Sequence, residues 1–152
     1  MRRALAVLLV AGACHTQAAA ERNMPKLPEG AVRFETPRGP WVVRVEIAAS
    51  DASRARGLML RRELPPDHGM LFVFPSAQEH GVWMHDTLLA LDMIFLADDR
   101  SVVGVVANAA PMTDSPRSVG QPSRYVVEVA AGEAAAHAVG PGTRVSFVDV
   151  AE

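Results

Sequence analysis

The stretch 69–92, GMLFVFPSAQEHGVWMHDTLLALD, is the densest run of large apolar side chains in the chain, and it interleaves them with His, Trp, Asp and Thr. Met70-Leu71-Phe72-Val73-Phe74, closed by Pro75, is too short and too aromatic for a helix and reads as a buried strand. Residues 91–96 follow the same logic. Between the two runs, Gly81-Val82-Trp83-Met84-His85-Asp86-Thr87 sets polar groups capable of chemistry beside a large aromatic. Any site in the chain is expected there.

The remaining pattern is mostly β. Residues 31–36 alternate, Pro37-Arg38-Gly39-Pro40 supplies a turn, and residues 41–47 alternate again with Arg44 and Glu46 on one wet face. Ser50 or Asp51 caps a short helix that runs to Arg56 and stops at Gly57, after which Leu58 and Met59 re-enter the core. Residues 102–107, 124–129 and 143–150 read as further strands, and 131–139 as a helix ended by Gly140-Pro141. Residues 109–123, rich in Pro, Ser and Gly, read as a long loop of the kind that serves as a lid or rim. About seven strands with two short helices and no regular βαβ alternation predict a mainly β fold, a single-domain antiparallel sandwich or barrel. A chain of 152 residues has room for one such domain.

The N-terminus reads as an address. Arg2-Arg3 and an apolar stretch over 4–13 have the form of an export signal, too short for a permanent span. Ala11-Gly12-Ala13-Cys14 resembles a lipobox, with lipidation at Cys14, while Ala18-Ala19-Ala20 offers ordinary cleavage near Ala20. The chain therefore divides into a signal over 1–13, a flexible tether over 14–30 and one domain over 31–152. Cys14 is the only cysteine, so no internal disulfide can form and packing alone must hold the fold.

Net charge is −2, and no basic stripe with interleaved aromatics is present, which argues against nucleic acid as a partner. Neither a nucleophile elbow nor a phosphate-cradling glycine loop nor a dinucleotide fingerprint occurs, so no cofactor is expected.

Five blocks together are similar to the domain of unknown function 192 family: Arg56-Gly57-Leu58-Met59-x-Arg61; Gly69-Met70-Leu71-Phe72-x-Phe74; Trp83-Met84-x-x-Thr87 with Leu91-Asp92-x-x-Phe95; Tyr125-Val126-x-Glu128; and Ala131-Gly132. The resemblance covers about residues 42–147. It departs at His85-Asp86, where the family more usually has Lys-Asn, and at Ala90, where proline is common. It implies a jelly-roll-like β domain, often exported or lipid-anchored, and implies no activity.

Three functional readings compete. In the first the domain is a non-enzymatic module for a small molecule or an envelope protein, with Trp83, Met84, Asp86, Thr87 and Asp92 as its ligand-binding residues and the long loop as rim. In the second it is a small enzyme that uses Asp86, Asp92 or His85 for acid and base work. The third gathers thioethers from Met59, Met70, Met84, Met93 and Met112 with His68, His80 and His85 around copper, although Met within apolar runs is ordinarily core. The first is preferred, with no metal. The ring of Trp83 is expected to be buried. Arg61 and Glu128, set among apolar neighbours, are expected to be structural, either paired or bonded to backbone.

Overall fold

In the computed structural model, residues 26–150 are described. Nine strands and two short helices follow in the order β1 (Glu29–Thr36), β2 (Gly39–Ala48), α1 (Asp51–Arg56), β3 (His68–Gln78), β4 (Val82–Met84), β5 (Leu91–Leu96), β6 (Val102–Ala109), β7 (Thr113–Arg117), β8 (Ser123–Ala130), α2 (Glu133–Ala136) and β9 (Arg144–Val148). Seven strands form one sheet in the order β6-β5-β8-β3-β2-β1-β9, and β4 pairs with β7 in a separate ribbon. The large sheet curls until its two edges meet. Ser101 bridges Arg144, and Val102 N–H donates to the Thr143 carbonyl at 2.9 Å. The result is a half-barrel, within the mainly β class that the sequence predicts.

Apolar residues fill both faces of this sheet. The barrel interior holds Phe34, Trp41, Leu71, Ile94, Tyr125 and Val127 among others, and Tyr125 meets Phe147 of β9 edge to face at 5.0 Å. A second core lies on the outer face, built from Leu58, Met70, Phe72, Met84, Met93, Phe95 and Val126. β5 is buried at all six positions. This two-sided burial is why residues 70–74 and 91–96 are continuous apolar runs and do not alternate.

Several details differ from the sequence reading. The strands are not all antiparallel, because β2 and β3 run parallel, Arg44 opposite His68 through Ala48 opposite Phe72. A parallel pair requires a long crossover; α1 and the loop 57–67 supply it. β3 continues past Pro75, at a register irregularity between Val73 and Gln78, where a missing N–H is tolerated. The stretch 109–123 is not a free lid, because β7 lies within it. The helix expected over 131–139 is confined to α2, bounded by positive φ at Gly132 (92°) and Ala138 (56°). The folded body begins inside the expected tether: the Pro28 carbonyl accepts from Ile47 N–H at 2.8 Å. Residues 1–25, including Cys14 and Ala20, lie outside the described residues.

Three polar residues on these central elements find different solutions. Asp92 is fully buried; its Oδ1 accepts from Asn108 N–H at 2.8 Å, and its Oδ2 from Gly132 and Ala134 N–H at 2.9 and 3.0 Å. It thereby ties β5 to β6 and to the start of α2. Arg61 does not pair with Glu128. Both its terminal nitrogens fork onto Glu46, at 2.5 and 2.7 Å. Glu128 stands between Met93 and Met70 in one row across the sheet, and burial, with no hydrogen bond or charge among the described residues to offset it, pushes its pKa up to about 8.

Two outcomes follow. Asp92→Ala leaves three inward-facing N–H groups without an acceptor and should cost roughly 3 kcal/mol or more, read from denaturant midpoints at constant m-value. The Glu128 carboxyl binds a proton more tightly in the folded state than in the unfolded chain. Its contribution is fully present below the unfolded value of 4.5 and is lost as pH rises towards about 8, to an extent of at most about 5 kcal/mol. Glu128→Gln should abolish this loss, so the stability difference between variant and wild type should grow from pH 5 to pH 8. A pH-independent difference would contradict it.

Candidate functional site

Four of the five sequence blocks named above converge on the outer core, not on the barrel interior. Leu58, Met70 with Phe72, Met84, Leu91 with Met93 and Phe95, and Val126 all belong to that outer core. Its glycines are close approaches. A Cβ at Gly69 would lie 2.2 Å from the Glu128 carbonyl oxygen, so β3 and β8 could not pair at their present spacing. At Gly57, where φ is +50°, a Cβ would meet the Phe72 ring at 3.0 Å. These residues hold the crossover against the sheet. The amide of Leu60 then donates to the Asp86 carbonyl at 2.8 Å, joining the crossover loop to the end of β4.

The β4–β7 ribbon covers part of this core. Val82 and Met84 point inward and are buried, which turns Trp83 and His85 outward. The Trp83 ring is therefore not buried as expected; the residue is 48% exposed. Met112, just before β7, is 57% exposed, and Leu88 is 39% exposed. The backbone joins these last two regions, because Met112 N–H donates to the Thr87 carbonyl at 3.1 Å. Thus three of the five large apolar side chains exposed among the described residues gather on or beside one ribbon.

Polar groups lie within the same patch. His85 Nδ1 is 2.7 Å from Asp114 Oδ1 across the ribbon, and its Nε2 is 3.6 Å from Asp86 Oδ2. The hydrogen bond to Asp114, then the charge of Asp86, raise the imidazole pKa above its ordinary value. The Trp83 and His85 rings are 5.3 Å apart. Asp86 has φ +48°, a region that Asp and Asn enter more readily than other side chains. The Asn usual in the resembling family and the Asp here thus satisfy one backbone demand. Thr87 is buried, and its hydroxyl donates to the His85 carbonyl at 3.1 Å, closing the same turn.

The sequence-predicted residues are thereby separated. Trp83, His85 and Asp86 share a surface. Met84 and Thr87 support it from beneath. Asp92 is sealed inside with both oxygens engaged by backbone, so it and Asp86 occupy opposite environments and form no acid–base pair of matched access. The methionines are dispersed in the same way: Met70, Met84 and Met93 pack in the outer core, Met59 is half-buried, and Met112 is on the surface. His68 bonds the Pro66 carbonyl, and His80 stacks on Phe74 at 3.6 Å. Among the described residues no three His, Cys, Asp or Glu side chains gather at metal-binding range. Two residues of the site escaped sequence reasoning. Asp114, the partner of His85, sits in a stretch with no apolar period, and Leu88 gave no signal beyond its place in the 81–92 segment.

Comparison with known proteins agrees with this architecture. The model of the DUF192 family, described as Uncharacterized ACR, matches residues 34–147. The UPF0127 protein PYRAB11210 of Pyrococcus abyssi is 30% identical over 124 residues, covering 78% of this chain and 98% of that protein. A crystal structure from Sinorhizobium meliloti, named provisionally as a transcription regulator, superposes with a TM-score of 0.79 at 34% identity, covering 84% of this chain and all of that one. A protein of unknown function from Novosphingobium aromaticivorans gives 0.77 at 33% identity, covering 95% and 93%. The half-barrel is thus shared with these solved structures, and the chain belongs to the DUF192 family.

Proposed function

We propose that this domain is a non-enzymatic binding module of the cell envelope, exported and lipid-anchored, that docks a protein partner through the outward face of the β4–β7 ribbon. The observation that carries the reading is the half-exposed Trp83 on a paired, backbone-braced ribbon. Trp is among the side chains most enriched at energetic centres of interfaces, and here exposed Met112 and Leu88 flank the ribbon that carries it while His85, Asp86 and Asp114 supply polar groups. A mixed apolar and polar surface that lines neither of the two main grooves suits a protein better than a small molecule, which prefers concavity. The enzyme alternative has less support, because the acid–base candidates are split between the surface and a saturated interior position. A role on nucleic acid, suggested by the name of the Sinorhizobium relative, is not favoured by a net charge of −2.

Export and anchoring rest on residues 1–25: the arginine pair, the short apolar stretch and the lone Cys14 after Ala11-Gly12-Ala13. A diacylglyceryl thioether plus an amide-linked acyl chain binds membranes far more firmly than one chain.

Each half of the proposal has its own test. A photo-cross-linking side chain at position 83 in intact envelopes should give one discrete adduct, weakened by Met112→Ala, while a probe at the equally exposed Val148 gives none. Trp83→Ala should weaken binding to the captured partner by roughly 30-fold, about 2 kcal/mol, with an unchanged melting temperature. Equal yields from positions 83 and 148, or no adduct from 83, would contradict the docking surface. For the anchor, Cys14→Ser should move the protein out of the membrane fraction or arrest its processing. A native mature form that begins at Glu21 and carries no lipid would contradict it.

A further inference from the structure

Away from the ribbon, the crossover leaves a groove of about 980 Å³ between α1, the loop that follows it and the outer face of β2. This volume lies within the range of small-molecule sites. Leu27 and Met59, both half-buried, supply its apolar surface, while Met70, which also lines it, is sealed in the core. Methionine adapts its shape to a flexible apolar guest better than branched side chains do. Behind Met70 in the same sheet row stands Glu128, which burial keeps uncharged at neutral pH, so this end of the groove carries no net acidic repulsion.

The rim is cationic. Arg61 is neutralised by its fork onto Glu46, and Lys26 is held by Glu29 at 3.0 Å. Arg56 and Arg62 remain, and among the described residues no side-chain partner engages either guanidinium; Glu63 is the one other acid lining the groove. An apolar floor below two uncommitted guanidinium groups is complementary to a molecule with an apolar body and an anionic head. Guanidinium presents the fork of donors that a carboxylate accepts in two parallel bonds.

We propose that this groove binds a single-chain amphiphilic anion of the fatty-acid class, its alkyl chain laid on Leu27 and Met59 and its carboxylate held by Arg56 and Arg62. The site is separate from the ribbon and does not depend on the docking reading. The test titrates decanoate into the full chain and follows backbone amide resonances. Saturable shifts at α1, at residues 57–63 and at Met70 are expected, with decyltrimethylammonium failing to compete. Arg56→Gln combined with Arg62→Gln should weaken binding by roughly tenfold or more. Met59→Glu, which sets a like charge beside the ligand, should do the same, while Trp83→Ala should leave it unchanged. The proposal is overturned if decanoate shows no saturable binding, if the cationic amphiphile binds equally, or if the arginine double variant binds as wild type does.

Discussion

Burial of the central strands on both faces is the constraint from which the rest of the architecture follows. β5 is buried at every position, β8 from Tyr125 to Val129 and β3 over its first half. One face is covered when the sheet curls on itself. The other needs separate cover, and the chain provides it twice: the crossover from β2 through α1 to β3, and the β4–β7 ribbon. Fully burying a Leu, Met or Phe side chain is worth roughly 1.5–3 kcal/mol, so an outer core of this size repays ordering both covers. A chain without disulfides in the described body has no other source of comparable stability.

The same constraint decides the fate of polar groups in those strands. A carboxylate inside a sheet with no wet face must either be saturated or give up its charge. Asp92 takes the first course, with three backbone N–H donors from two other elements. Glu128 takes the second, protonated at neutral pH between two methionines. Neither has the access that surface chemistry requires. Among the described residues, the polar groups that meet solvent near the central motif block include those on the outer side of the ribbon. That is where Trp83, Met112 and the His85–Asp114 contact are found.

Much of the fold was legible because two-sided burial writes itself as unbroken apolar runs bounded by Pro, Gly and acidic turns. α1 was legible from Ser50, whose side chain accepts from Ser53 N–H, and from Gly57 at its end. β7 was not, because TDSPR is an edge strand of one small ribbon, with polar side chains and a proline that an edge tolerates. The exposure of Trp83 was hidden for a related reason: Val82, Trp83 and Met84 are all apolar, so no alternation announces which faces out. Arg61 was correctly singled out as needing a partner, but that partner, Glu46, is positioned by a parallel register that no local pattern encodes. The candidate site was legible as a segment, and its division into surface, support and sealed interior required the fold.

We propose the outward face of the ribbon, not the barrel interior or a sheet edge, as the docking surface. Amide hydrogen exchange of the full chain in its own envelope, compared with the purified protein, tests it most directly. The expected result is added protection confined to residues 82–88 and 112–117, with β1, β6 and β9 unchanged. Protection concentrated on β9 and the barrel mouth, or no difference anywhere, would contradict it.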